Sequence, residues 1–164
     1  MVIEPIIWRR SVRQYSEEPV LDESVNDIIK AAHFAPSAMG KHAIEFVVIK
    51  DEAAKEGLSR IIGQDPVASA PVLLLLVVNA DISPMPEHDL AVGSSFAMVQ
   101  AAAMGLGTAW IHIEKDQKKE IRKILDIPEN YDFINIIPIG YPKDELLDHS
   151  DNDFDRGKIH SEKF

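Results

Sequence analysis

Three of the chain's six arginines fall within five residues, in Arg9-Arg10-Ser11-Val12-Arg13. The planar fork of arginine matches phosphate oxygens two at a time, and the Ser11 hydroxyl adds a further donor. The rest of the chain is acidic: 17 Lys and Arg stand against 27 Asp and Glu, a formal charge of -10. The segment is therefore a local positive island. It suits a small phosphorylated ligand, or it is a solvated patch that pairs with Glu17, Glu18 and Asp22. The overall acidity repels phosphate backbones, so nucleic acid is not an expected partner.

Two further segments could line a ligand. Ala35-Pro36-Ser37-Ala38-Met39-Gly40-Lys41-His42 joins a helical pattern to a strand pattern with small residues. Backbone can approach a flat ligand closely there, and Ser37 can donate a hydrogen bond. The same residues would also make an ordinary loop. Gly105-Leu106-Gly107-Thr108-Ala109-Trp110-Ile111-His112-Ile113 ends a helix and turns directly into a strand. A dinucleotide fingerprint runs the other way, from strand to helix, so that motif is excluded. A plain helix cap and turn is the alternative.

Other chemistries find little support. Cysteine is absent, which removes disulfides, thiolate metal sites and a cysteine nucleophile. Asp151, Asp153, Asp155 and Glu162 mimic a calcium loop, but the sixth position, which requires glycine, is Arg156. His88, Asp89, Asp148, His149 and Asp151 lack the helical spacing of a metal site, so none is expected. Ser94-Ser95 has no glycine elbow around it, which argues against a serine hydrolase.

The elements that would position these residues follow from periodicity and capping. Pro5 to Arg10 suits a short helix. A second helix starts with Asp22 as N-cap and ends near Ala35, before Pro36. Ile44 to Lys50 reads as a strand and Glu52 to Ile62 as a helix. Pro71 to Asn79 is a continuous apolar run, the signature of a strand covered on both faces. His88 to Met104 predicts a long helix rich in alanine, slim enough to be a buried central helix or the core of a two-fold dimer interface. Thr108 to Ile113 reads as a strand, Asp116 caps a helix through Leu125, and Asp132 to Tyr141 is a last core strand. Helices on both faces of one sheet make a three-layer α/β/α domain of the α+β class. The whole chain of 164 residues is expected to be one domain, with residues 143–164 as an acidic C-terminal arm. The N-terminus lacks a signal-peptide core, and the Val67 to Val78 run is too short to span a bilayer. A cytoplasmic location, with no membrane partner, is the expectation.

Taken together and in order, Arg-Arg-Ser-x-Arg at residues 9–13, Ala35-Pro36-Ser37-Ala38, Gly105-Leu106-Gly107-Thr108 and Ile137-Pro138-Ile139-Gly140-Tyr141-Pro142 resemble the nitroreductase family. The resemblance spans nearly the whole chain. It implies a mixed, mainly antiparallel sheet flanked by helices. It also implies a homodimer with FMN at the interface, NAD(P)H as co-substrate, and a nitro, quinone or similar small-molecule acceptor reduced by a ping-pong hydride mechanism. By the same resemblance, Arg9, Arg10, Ser11 and Arg13 hold the FMN phosphate, ribityl chain and ring edge. Pro36, Ser37, Ala38 and Gly40 belong to the loop that reaches the flavin from the other subunit. Ile111, His112 and Ile113 lay their backbone against the ring, and Arg156 reaches the phosphate. No catalytic side chain is implied, because the cofactor carries the chemistry. Gly40 and His42-Ala43-Ile44 depart from the family's usual Asn and Gln-Pro-Trp. Those departures leave open a flavin-binding or sensory module with little turnover, or a specialised dehalogenase-like relative.

Overall fold

The computed structural model describes all of residues 1–164. Its helices are α1 (Glu4–Trp8), α2 (Asp22–His33), α3 (Glu52–Ile62), α4 (Asp65–Ser69), α5 (Pro86–Ala103) and α6 (Lys118–Leu125). Its strands are β1 (Ile44–Ile49), β2 (Val72–Asn79), β3 (Gly107–Thr108), β4 (Ile111–His112), β5 (Tyr131–Asp132) and β6 (Asn135–Gly140). All named strand pairs are antiparallel, in the order β1-β2-β6-β3, with β4 also on β6 and β5 on β2.

β2 is the centre of the sheet. Its side chains alternate between two cores. Val72, Leu74, Leu76 and Val78 join Ile28 and Ala32 of α2 and Leu90, Ala97, Met98 and Ala101 of α5. Leu73, Leu75 and Val77 join Leu58 of α3, Val67 of α4, Ile121 of α6 and Phe133. Each fully buried aliphatic contributes about 1.5–3 kcal/mol relative to exposure. The expected three-layer arrangement is therefore what the structure shows.

Several local expectations need correction. Asp22 does not cap α2: Leu21 is the N-cap, and the Asp22 carboxylate pairs instead with Lys50. Asp116 does not cap α6, which starts after Gln117; the Gln117 side chain accepts from the Glu114 N–H. α5 begins two residues before His88, with Pro86 as its first residue, where the missing N–H costs nothing. α4 was not foreseen. Pro66 opens it, and the buried Lys55 closes it by donating to the Ala70 carbonyl at 3.0 Å.

Two expected strands are interrupted. Thr108 pairs with Ile139 and Ile111 with Ile136, so β3 and β4 share one register on β6. The gap at Ala109-Trp110 lies opposite Pro138, which has no N–H to give the ladder. The last strand breaks differently. Asp132 pairs with Val78 but Ile136 with Leu75, a slip of one residue that marks a bulge around Phe133-Ile134.

The small residues of α5 serve mainly its inner side. Gly93, Ser94, Ala97, Ala101 and Ala102 are buried, and a Cβ on Gly93 would stand 3.0 Å from both Ile44 and Leu76. The outer side carries Val92, Val99 and the exposed Phe96. No helix is long and apolar enough to cross a membrane.

The tightest packing joins the arginine segment to the sheet. A Cβ on Gly107 would lie 2.5–2.8 Å from three Val12 side-chain carbons. Gly107→Ala should therefore destabilise the protein by about 1–3 kcal/mol in urea unfolding. Combining it with Val12→Ala should recover part of that loss, because the obstructing methyls are gone. Strictly additive losses in the double-mutant cycle would show that the two residues are not coupled.

Candidate functional site

The arginine segment lies along the sheet as an extra edge. Ser11 forms a parallel bridge with Thr108, and the Val12 N–H donates to the Thr108 carbonyl at 2.8 Å. On its other side, Tyr15 bridges Pro142 and the Ser16 N–H donates to the Tyr141 carbonyl at 2.9 Å. Extended backbone alternates its side chains. Val12 is thus buried under Gly107, while Ser11 and Arg13 stay exposed. The Tyr15 hydroxyl donates to the Val12 carbonyl at 2.8 Å and pins the segment from below. Burial pushes the Tyr15 phenol well above the ordinary tyrosine range, with the Arg13 charge working weakly against it. Tyr15 is therefore a neutral strut near pH 7 rather than an acid or base.

Two clefts of about 450 Å³ flank this edge. The first brings Arg9 and Arg10 together with the Gly105–Thr108 turn, Ala102 at the end of α5, and Lys143. The second is lined by Arg13, Gln14, Tyr15, Gln64, Asp65 and, again, Lys143. Neither Arg9 nor Arg13 forms an ion pair or side-chain hydrogen bond within the chain. The pairing with Glu17, Glu18 and Asp22 that would make the island a neutralised patch is not formed. Arg10 donates to the Leu147 carbonyl at 3.0 Å. Its charge also reaches Asp153, whose carboxyl is held low chiefly by the Ser150 N–H, with His149 and then Arg10 assisting. The tail thereby lies against α1, and the His149 N–H donates to the Ile7 carbonyl at 3.0 Å.

One atom in the first cleft stands out. Thr108 is 1% exposed and its hydroxyl has no hydrogen-bond partner. Unsatisfied buried groups are rare in folded proteins and call for an explanation. Asn135 Nδ2, which does not line this cleft, is the other such atom, and both atoms are closed off from solvent. The three cations that line the cleft, Arg9, Arg10 and Lys143, fit a phosphate-bearing cofactor such as FMN. Asp144, Glu145 and Asp148 of the tail also line the cleft and limit its net charge.

The remaining expected residues lie elsewhere in one chain. Ser37 and Ala38 are half-buried and Pro36 and Gly40 exposed, in a loop with a short 3-10 turn at Ala38–Gly40. The Ala38 N–H donates to Asp89 in the first turn of α5. Asp89 and Ala102 are separated along α5 by about 20 Å at 1.5 Å per residue. The loop and the arginine cleft therefore attach to opposite ends of this helix. His112 and Ile113 border a third cleft, of about 370 Å³, with Glu87, Glu114, Lys115 and Lys118. The His112 Nε2 to Glu114 distance is 3.9 Å between two exposed side chains, worth little. Arg156 sits in an exposed 3-10 turn of the tail and contacts none of the other candidates by hydrogen bond or ion pair. Sequence reasoning passed over Thr108, which lies inside the Gly-Leu-Gly-Thr motif itself, and also Lys143 and Gln64, and it weighed Asp89 only as a metal ligand. Nothing in the sequence marks Asp89, because its partners are 51 and 6 residues away.

Comparison with known proteins gives this geometry its context. The solved structure of an FMN-dependent nitroreductase from Clostridium difficile superposes with a TM-score of 0.93 at 30% identity, covering 99% of this chain and 100% of that one. A Methanothermobacter thermautotrophicus protein, provisionally named an NADH dehydrogenase/NAD(P)H nitroreductase, is 30% identical over 99% of this chain and 87% of its own length. An FMN reductase [NAD(P)H] from Bacillus subtilis is 27% identical over 87% of this chain and 66% of its own. The profile of the Nitroreductase family matches residues 6–88 and 62–141. The chain belongs to the nitroreductase family.

Proposed function

We propose that this protein is a homodimeric FMN-dependent oxidoreductase that passes electrons from NAD(P)H to nitro, quinone or similar acceptors in a ping-pong order. As a member of the nitroreductase family, it is an NAD(P)H-dependent flavin oxidoreductase, as the names of its relatives indicate. The observation that carries the finer reading is the cleft at the sheet edge. Arg9, which has no partner within the chain, is gathered there with Arg10 and Lys143 in a chain of charge -10.

FMN held there would supply the hydride chemistry between NAD(P)H and the acceptor. The protein's residues bind and orient. Arg9, Arg10, Ser11 and Arg13 would hold the phosphate, ribityl chain and ring edge, with Thr108 and Lys143 beside them. The backbone of Ile111, His112 and Ile113 would lie against the ring. Arg156 of the tail would add a further cation at the phosphate. Donor and acceptor would use one open face in turn, which gives the ping-pong order.

A second copy would complete the site. Within one chain, Pro36, Ser37, Ala38 and Gly40 attach near the start of α5 and the arginine cleft near its end. Antiparallel contact of two α5 helices about a two-fold axis sets the start of one beside the end of the other. The outer face of α5, with Val92, Phe96 and Val99, is apolar enough to be covered in this way. The tail exposes Leu147, Phe154, Ile159 and Phe164, which suits an arm laid on a partner.

Protein purified without added cofactor should be yellow and release FMN on denaturation. Arg9→Ala and Arg13→Ala should each weaken FMN binding about tenfold or more, the worth of a charge-assisted hydrogen bond. Ser11→Ala should cost less. Titration of flavin fluorescence reads these affinities, and unchanged binding in both arginine variants would reduce the island to a solvated patch.

Sedimentation should give a dimer. A monomer that still holds FMN tightly would contradict completion of the site by a second copy.

No single side chain should be indispensable for hydride transfer. A general acid is worth about 10²–10⁴ in rate. We expect His42→Ala and His112→Ala to change flavin reduction by NADH less than about tenfold at saturating FMN, under about 1.4 kcal/mol of barrier. A thousandfold loss in stopped-flow reduction with FMN still bound would make that histidine catalytic.

A further inference from the structure

We propose that Asp89 is a positioning residue for the cofactor: its buried carboxylate fixes the Pro36–Gly40 loop against the first turn of α5, so that the flavin meets a preformed surface. The proposal rests on the FMN reading above and adds to it a residue that touches the flavin only through Ala38.

Asp89 is 3% exposed, yet no cation pairs with it. Its Oδ1 accepts from the Ala38 N–H at 2.7 Å, and its Oδ2 accepts from the buried Ser83 hydroxyl at 2.6 Å. The Ser83 oxygen in turn accepts from the Met85 N–H at 3.2 Å. Burying a charged group away from water is costly unless its hydrogen bonds are made. Here those bonds are spent on one amide of a distant loop and on one hydroxyl. Both bonds are short, which marks a close fit of the carboxyl group between its two donors.

The loop needs such a tether. Met39, Gly40 and His42 all have left-handed backbone, at φ 53, 64 and 46. For Met and His this conformation is unfavourable and persists only where the surroundings impose it; such strain gathers at ligand-binding segments. The loop's internal bonds shape it without attaching it. The His42 N–H donates to Ser37 Oγ at 3.0 Å, and the Gly40 N–H donates to the Ser37 carbonyl at 3.0 Å. The Asp89 contact is the side-chain hydrogen bond that joins the loop to the body of the domain. Met39 is 83% exposed, so packing of its side chain does not hold the loop either. Through Asp89 the loop and α5 become one rigid unit. Any contact that sets the position of α5 then sets the position of the loop.

Three measurements on Asp89→Ala and Asp89→Asn test this: amide hydrogen exchange of the flavin-free protein, FMN affinity, and thermal stability. Asparagine keeps the oxygen that accepts from Ala38, and its amide can donate to Ser83. Asp89→Ala should speed exchange at Ala38 to His42 and weaken FMN about tenfold, the worth of one charge-assisted hydrogen bond. Asp89→Asn should restore both to within about threefold of the parent. Should Asp89→Ala not fold, Ser83→Ala carries the test, since it removes one of the two restraints on the carboxylate; it should raise exchange at Ala38 and weaken FMN by a smaller factor in the same direction. Unchanged exchange at Ala38, or faster exchange with FMN affinity within twofold of the parent, overturns the proposal. So does exchange that rises along all of α5 with loss of stability alone, the mark of a merely structural residue. If the parent protein takes up no FMN, the functional reading fails instead, a result separate from any of these.

Discussion

A strand with seven consecutive apolar side chains, Val72 to Val78, has to be covered on both faces, and the rest of the architecture answers that requirement. Alternation sends four of those side chains to the α2/α5 side and three to the α3/α4/α6 side. Neither helical layer could bury its own apolar stripe without the strand between them. The flanking strands inherit their places from it. β1 and β6 take its two edges, and β3 and β4 are left to pair with the far edge of β6. The arginine segment is thus displaced to the rim, where Ser11 can pair with Thr108 and still leave its own side chain in solvent.

That rim is open for a physical reason. Pro138 gives β6 no N–H at the point where Ala109-Trp110 passes, so the outer ladder loosens there. Immediately before the gap, Thr108 keeps a buried hydroxyl without a partner. Gly107 lets Val12 approach to a distance no side chain would allow. The same few residues therefore fix the arginine segment in place and leave a donor unspent beside it.

How far the sequence was readable follows from the range of the interactions involved. β2 was legible because burial on both faces writes itself as an unbroken apolar run. α3 was legible because Asp51 and Gly63 cap it locally, at φ 71 for the glycine. Failures came where a distant partner decided. Asp22 gave up the capping role for Lys50, 28 residues away. The strand at 108–113 was broken by a proline some thirty residues on, and the bulge at Phe133-Ile134 is set by register against β2. The arginine segment was found from composition, since three arginines in five residues are conspicuous in an acidic chain. Whether they were neutralised was a question of geometry, and so was Asp89. The small residues of α5 were seen, but their orientation was not: most face the sheet, and the apolar outer face is carried by Val92, Phe96 and Val99.

The charge pattern also bears on which anions can bind. At a formal charge of -10 the protein as a whole repels anions. That repulsion is long-ranged, and at physiological salt it is screened beyond about 8 Å. Direct bonds from Arg9, Arg10 or Arg13 act at contact distance in a concave site, where screening is weaker. An extended polyanion must lay many charges along the acidic surface and meets the repulsion at each. A compact ligand with one terminal phosphate would meet the arginines over a short stretch of surface. The acidic tail residues at the same cleft, Asp144, Glu145 and Asp148, would oppose any negative charge placed outside the arginines' reach. On the proposed reading, acidity and the arginine island would act as one device: the first would oppose anions in general, and the second would admit the kind that fits.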